Sequence, residues 1–143
     1  MLEEVPDSLN MVHGDYHTNN VHYANGEAIL IDMDTLSVGN SVFEFSNFYL
    51  AYHGFGELDH SKVSDFLKID WDLAQDILKK VFAYYFEDKG PDYIEASMDK
   101  AQTVGFLRLY RRSMRRDPDN AELIAHCRER LIGQVDKVDS LAL

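Results

Sequence analysis

The sequence predicts a mainly α-helical α+β domain that carries a small β-hairpin. Three observations point there. Asn25-Gly26 separates two short β-prone runs, the strongest short-range signal for a hairpin. From Ser41 onward the apolar residues change to a three-to-four spacing. Helix punctuation then recurs at Gly54-Phe55-Gly56, Asp70, Gly90-Pro91 and Asp117-Pro118.

The elements follow in order. Met11 to His13 reads as a short strand running into a loop at Gly14, and Val21 to Tyr23 and Ala28 to Ile31 read as the arms of the hairpin. Val42, Phe45, Phe48, Tyr49 and Tyr52 fall on one helical face, and Gly54-Phe55-Gly56 stops that helix. A short helix covers Ser61 to Ile69. Asp70 caps a longer one that buries Ala74, Ile77, Leu78, Val81, Phe82 and Tyr85. Gly90-Pro91 separates it from a helix over Asp92 to Arg116. Asp117 as cap, with Pro118 at the first helical position, starts a last helix running to Val135. The chain is thus one domain over residues 1–143, with a loop-and-strand segment at 11–36 and a helical body at 41–135.

Composition narrows the function classes. With 143 residues and 45% hydrophobic, the chain can bury a real core. Cys127 is the only cysteine, so no disulfide framework forms within one chain, and a reducing cytoplasm is the default expectation. The N-terminus shows no signal-peptide pattern, and no apolar run is long enough to cross a membrane. The net charge of −11 is unevenly placed: before Lys62 there is no Lys or Arg. That segment carries Glu3, Glu4, Asp7, Asp15, Glu27, Asp32, Asp34, Glu44, Glu57 and Asp59. Exposed acids are simply solvated, whereas acids converging in a cleft need a metal or a cationic substrate. Such a field disfavours nucleic acid as a partner.

The chemistry concentrates in His13-Gly14-Asp15-Tyr16-His17-Thr18-Asn19-Asn20, the hairpin, and Ile31-Asp32-Met33-Asp34. Phosphoryl transfer to an alcohol needs a carboxylate to orient the hydroxyl and take its proton, and hard oxygen ligands to hold Mg²⁺ against the phosphates. Asp15, Asn20 and Asp32 offer that set in order, and the Asn25-Gly26 turn folds Asp32 back toward Asp15. HGDYHTNN resembles the catalytic loop of aminoglycoside phosphotransferases and related choline-kinase-like enzymes, whose pattern is H-G-D, four residues, then N. LIDMD is similar to their metal-binding I-D segment. GNSVFEFSNF resembles the following turn and helix, with Glu44-Phe45-Ser46 where members often have Asp-Leu-Ala.

This resemblance, sharp over about residues 11 to 50, implies the C-terminal lobe of a protein-kinase-like fold using ATP and Mg²⁺. It implies Asp15 as catalytic base, Asn20 and Asp32 as metal ligands, and a small-molecule hydroxyl as acceptor, with an acidic cleft suiting a cationic one. His13, His17 and Asp34 are expected to support the site. The N-terminal nucleotide-gripping lobe is expected to be absent: no Lys precedes the loop, and Gly54 and Gly56 follow the metal segment without the third Gly of a phosphate loop. The missing nucleotide contacts would then come from a separate lobe, or an exposed strand edge at Met11, Val12, Val21 and Tyr23 would pair in a homodimer.

Other readings stand beside this one. An Asp after Gly is often only a turn residue, and Asn20 can cap a turn. His13, Asp15 and His17 alternate, so on a strand they would make the zinc site of a metal-dependent hydrolase. The chain could also be a non-catalytic binding module. Arg108, Arg111, Arg112, Arg115 and Arg116 suit a helix C-terminus better than a nucleic-acid site. Val81 to Phe86 reads as core rather than a ligand pocket. His22, His53, His60 and His126 read as ordinary surface or core residues.

Overall fold

A computed structural model describes residues 5–143, which leaves Glu3 and Glu4 of the acidic segment outside the described residues. Four short strands pair in two antiparallel ribbons. β1 (Met11–Val12) lies against β4 (Ser37–Val38), with Met11 opposite Val38. β2 (Val21–Ala24) lies against β3 (Glu27–Leu30), with Val21 opposite Leu30 and Ala24 opposite Glu27. The turn between them takes φ 54° at Asn25 and φ 86° at Gly26. Two consecutive positive φ values match the right-handed twist of the arms, and Asn-Gly is the pair that tolerates them. Neither face of this hairpin is fully covered.

The helical body starts with α1 (Val42–Tyr52), which buries residues on every side, including Phe45, Ser46, Phe48, Tyr49, Leu50 and Tyr52. A helix buried all round belongs at the centre of its fold. α2 (Ser61–Leu67), α3 (Trp71–Tyr85) and α4 (Pro91–Arg116) pack around it, and α5 (Ala121–Ile132) packs on α4. Gly105 permits the α1–α4 approach: a Cβ there would sit 3.0 Å from both the Ser46 carbonyl oxygen and Leu50 Cγ. The main core gathers Phe45, Phe48, Tyr52, Phe82, Phe86, Phe106 and Cys127. Val138 and Leu141 of the C-terminal segment close a smaller cluster over Val42 and Val104. None of the described helices is long and apolar enough to cross a membrane.

Two expectations are corrected. The last helix does not begin at Pro118. The Asp117 N–H closes α4 on the Ser113 carbonyl at 2.9 Å, and its carboxylate Oδ2 accepts from Asn120 Nδ2 at 3.0 Å rather than from a helix N–H. Asn120 caps the next helix instead, its Oδ1 accepting from Leu123 N at 3.2 Å, and α5 ends at Ile132, short of Val135. Tyr85 is not on the buried face of α3: it is 53% exposed, and Tyr84 is 79% exposed. The buried line runs Ala74, Leu78, Phe82, then Phe86, an unbroken i,i+4 series that passes Tyr85 by. Only part of the 81–86 run is therefore core. Asp70 caps α3 as expected, accepting from Leu73 N at 2.8 Å. Arg115 and Arg116 occupy the last turn of α4, where cations complement the helix dipole.

Candidate active site

Residues 13–20 form a loop held from three sides. Gly14 takes φ +82°, a conformation that glycine adopts freely, and a Cβ there would press on Thr35 at 3.2 Å. Both main-chain groups of Gly14 are clamped by α1: its N–H donates to Glu44 Oε2 at 3.0 Å, and its carbonyl accepts from Asn47 Nδ2. Glu44 and Asn47 are one helical turn apart, so one face of α1 reaches both. Thr35 Oγ1 donates to the His13 carbonyl at 2.6 Å. At the far end, Thr18 N donates to the Tyr52 hydroxyl at 3.1 Å, and Asn19 Nδ2 donates to the Phe66 carbonyl of α2 at 2.7 Å. Burial raises the Tyr52 phenol above its ordinary range against the lowering effect of the Thr18 contacts, so it stays a neutral hydroxyl.

His13 is buried and its hydrogen bonds fix its tautomer. Nε2 lies 3.0 Å from the Ile31 carbonyl, which only accepts, so Nε2 carries the proton. Nδ1 is then free to accept from Asp15 N at 3.3 Å. Both ring nitrogens serve the loop, as expected of a supporting residue, and neither remains for a metal. Residues 13–17 form no strand, so the alternation that would put His13, Asp15 and His17 on one face is not realised. Among the described residues no three His, Cys, Asp or Glu side chains gather as they would around a metal ion.

Asp15 and Asn20 do come together. Asn20 is buried, and its amide nitrogen donates to the Asp15 carbonyl at 2.9 Å and to Asp15 Oδ2 at 3.4 Å. The Asp15 side chain is 54% exposed, with His17 Nε2 at 3.6 Å from Oδ2. His17 is buried, its ring edge-on to Phe66 at 4.8 Å, and its Nδ1 has no partner. Asp32 is tied in through its neighbour: Ile31 N donates to the Asn20 carbonyl at 3.0 Å while the Ile31 carbonyl takes His13. Asp32 itself is exposed in the left-handed region, φ 59° and ψ 60°, and its side chain makes no capping bond. Asp34 is exposed in the short turn at Met33–Thr35.

The chemistry of this set is that of hard oxygen. With its nitrogen on Asp15, Asn20 has its carbonyl oxygen left for a cation, and Asp32 offers an unbonded carboxylate. Oxygen donors of this kind suit a hard cation, whereas no imidazole nitrogen of His13 is spare for zinc. A cleft of about 600 Å³ lies apart from this loop, between α4 and α5, lined by Tyr110, Met114, Ile124 and Arg128. Glu44, Asn47, Tyr52 and Phe66 were not expected as supports of the site. Glu44 and Asn47 were detectable as polar residues at i and i+3 on a helix that is otherwise mostly apolar. No protein-family description, curated protein or solved structure matches this chain.

Proposed function

We propose that this chain is the catalytic lobe of a phosphotransferase resembling aminoglycoside phosphotransferases and choline-kinase-like enzymes, moving the γ-phosphate of ATP to a small-molecule hydroxyl. The observation that carries the reading is the Asn20–Asp15 contact within a loop whose Gly14 is clamped on both sides by α1. Asp15 is the base. Its exposed carboxylate can receive the acceptor hydroxyl, orient it for in-line attack and take its proton. His13 fixes the loop, and His17 lies beside the Asp15 carboxylate as a positioning neighbour.

Asn20 and Asp32 are the residues that would hold Mg²⁺, which when bound neutralises charge on the phosphates. Residues 1–61 contain no Lys or Arg to grip a nucleotide, so this reading needs that contact from outside the loop-and-strand segment. The same lack of bases favours a cationic acceptor such as an amino-alcohol.

The test uses Mn²⁺ as a paramagnetic stand-in on the labelled chain. Broadening should centre on Asp15, Asn20 and Asp32, and should weaken in Asn20→Ala and Asp32→Ala. Affinity for ATP should be weaker than micromolar without the second lobe. Broadening centred away from these residues would reject the reading.

A further inference from the structure

α5 has an apolar face that the core does not use. Leu123, Cys127 and Leu131 pack into the main core. Ala121, Ile124, Ala125 and Ile132 instead line the cleft of about 600 Å³ between α5 and α4, with Tyr110 and Met114 on the α4 side. Met114 is 48% exposed and Ile132 62% exposed. Spacings of three and four residues put Ala121, Ile124 and Ala125 in one row along α5. Two of the three are alanine, so a further helix can approach the floor closely.

A row of positive charge runs beside this cleft. Arg108, Arg111, Arg112, Arg115 and Arg116 are all exposed. No acid stands between Asp99 and Asp117 to offset them. Among the described residues the only arginine in an ion pair is Arg130, on Glu57. The helix dipole accounts for Arg115 and Arg116, which stand in the last turn, and does not reach the three upstream. Arg108 and Arg112, Arg111 and Arg115, and Arg112 and Arg116 are each one turn apart, so they repel one another along α4. All five are arginine, whose planar fork pairs with a carboxylate through two parallel hydrogen bonds.

The row and the cleft are contiguous. Arg111 follows Tyr110 and stands three residues before Met114, and Arg115 follows Met114, so both flank the α4 wall. Arg128 lies within the cleft. The nearby acids are on α5 and in the turn before it: Glu122 and Glu129, then Asp117 and Asp119. The α4 bank is therefore basic, on a chain whose net charge is −11.

We propose that this cleft receives an amphipathic helix of a partner protein, with its apolar ridge between Met114, Ile124 and Ile132 and an acidic flank on Arg111 and Arg115. A concave apolar floor suits a helical ridge, whereas a bilayer takes protruding apolar groups and a nucleic-acid strand stacks on aromatic faces. α5 has 12 residues, so the seated helix is about three turns long. The inference is independent of the phosphotransferase reading.

The test presents the full chain, at about 150 mM salt, to a display library of helices. Each is apolar at i, i+3, i+4 and i+7, with the other positions randomised among Asp, Glu, Ser, Gln, Lys and Arg. An unspecific surface on so acidic a chain would enrich Lys and Arg. The proposal expects Asp and Glu along one flank. A selected helix should shift the Met114 and Ile124 resonances of the labelled chain. It should bind at least about tenfold more weakly to the Arg111→Glu, Arg115→Glu double variant, which should itself select basic flanks. Enrichment of basic or uncharged helices on the native chain, or of none, would overturn the proposal. So would a bound helix located away from α4 and α5, or tighter binding to anionic lipid vesicles or single-stranded DNA. One arm needs no partner. Because the arginines repel, Arg111→Gln with Arg112→Gln should leave the thermal midpoint of the free chain unchanged or raise it. A clear fall would show that the row serves the fold, and would count against a docking role.

Discussion

The side-chain amide of Asn20 spans both acceptors of Asp15, at 2.9 Å to the main-chain carbonyl and 3.4 Å to carboxylate Oδ2. The two residues therefore differ in what they hold. Asn20 is buried and its loss leaves the Asp15 carbonyl without that partner, whereas the Asp15 carboxylate is largely in water. Asn20→Ala should cost about 1–3 kcal/mol of stability. Asp15→Ala should change stability by no more than about 0.5 kcal/mol, because the carbonyl contact survives it. Urea melts of both variants measure the difference. Equal losses would mean that the Asp15 carboxylate is a structural group and not a poised base. In an assembled enzyme the order inverts, and Asp15→Ala should abolish turnover.

Gly14 supplies a second expectation. Gly14→Ala meets a positive φ and a contact of 3.2 Å with Thr35 at once. Strain of this kind costs on the order of 1–3 kcal/mol. Glu44→Ala, which removes the charged acceptor of the Gly14 N–H, should cost about 1.5–3 kcal/mol. The two losses should be less than additive in the double variant, since both act on one backbone position. Denaturant melts of the four chains give the coupling, and strict additivity would show that α1 does not hold the loop through Gly14.

The legible part of this fold is the part that local chemistry decides. Asn25-Gly26 admits few conformations other than the turn found, and Asp70 caps α3 because its carboxylate finds an unpaired N–H three residues on. The 117–120 turn departs from the sequence reading because Asp117 can serve either helix by sequence, and in the fold its N–H closes α4 while its carboxylate goes to Asn120. Asp15, Asn20 and Asp32 were candidates along the chain, and the structure joins the first two by a hydrogen bond. Their supports were not legible, because the Gly14 clamp and the Tyr52–Thr18 contact join residues about thirty positions apart.

Cys127 links burial to alkaline stability. It is fully buried, and burial pushes its thiol up to about 11. In the unfolded chain a thiol ionises near about 8.5. Between those values the unfolded state releases a proton that the folded state keeps, so stability falls as pH rises. Burial also raises the Tyr49 phenol, with the same sign at higher pH. Thermal melts from about pH 8 to 10.5 should show a falling midpoint, and Cys127→Ala should flatten the lower part of the fall. Native Cys127 should resist a thiol reagent at pH 8 and react on unfolding. Rapid native labelling would show that α5 opens readily.

The last expectation is self-association through the hairpin side. β2–β3 is covered fully on neither face, and a two-stranded ribbon alone is marginal in water. Met11 and Val38 sit opposite one another across β1–β4, 66% and 59% exposed, and Tyr23 is 73% exposed. Ile29, Ile31 and Met33 are exposed too. Val12, expected on this open edge, is instead buried at 4%, so the apolar surface is built by Met11, Val38 and the hairpin. Covering such a surface contributes about 25 cal/mol per Å². Opposing this is a segment without any Lys or Arg before Lys62, whose acids repel their copies. Salt shortens the range of that repulsion to about 8 Å near physiological strength while leaving apolar burial intact. The dimer should therefore strengthen as salt rises, the reverse of an interface held by ion pairs. Tyr23→Asp or Ile29→Glu should weaken it by removing apolar area and adding charge. Light scattering at high protein concentration and moderate salt decides the matter, and a strict monomer there would overturn the expectation.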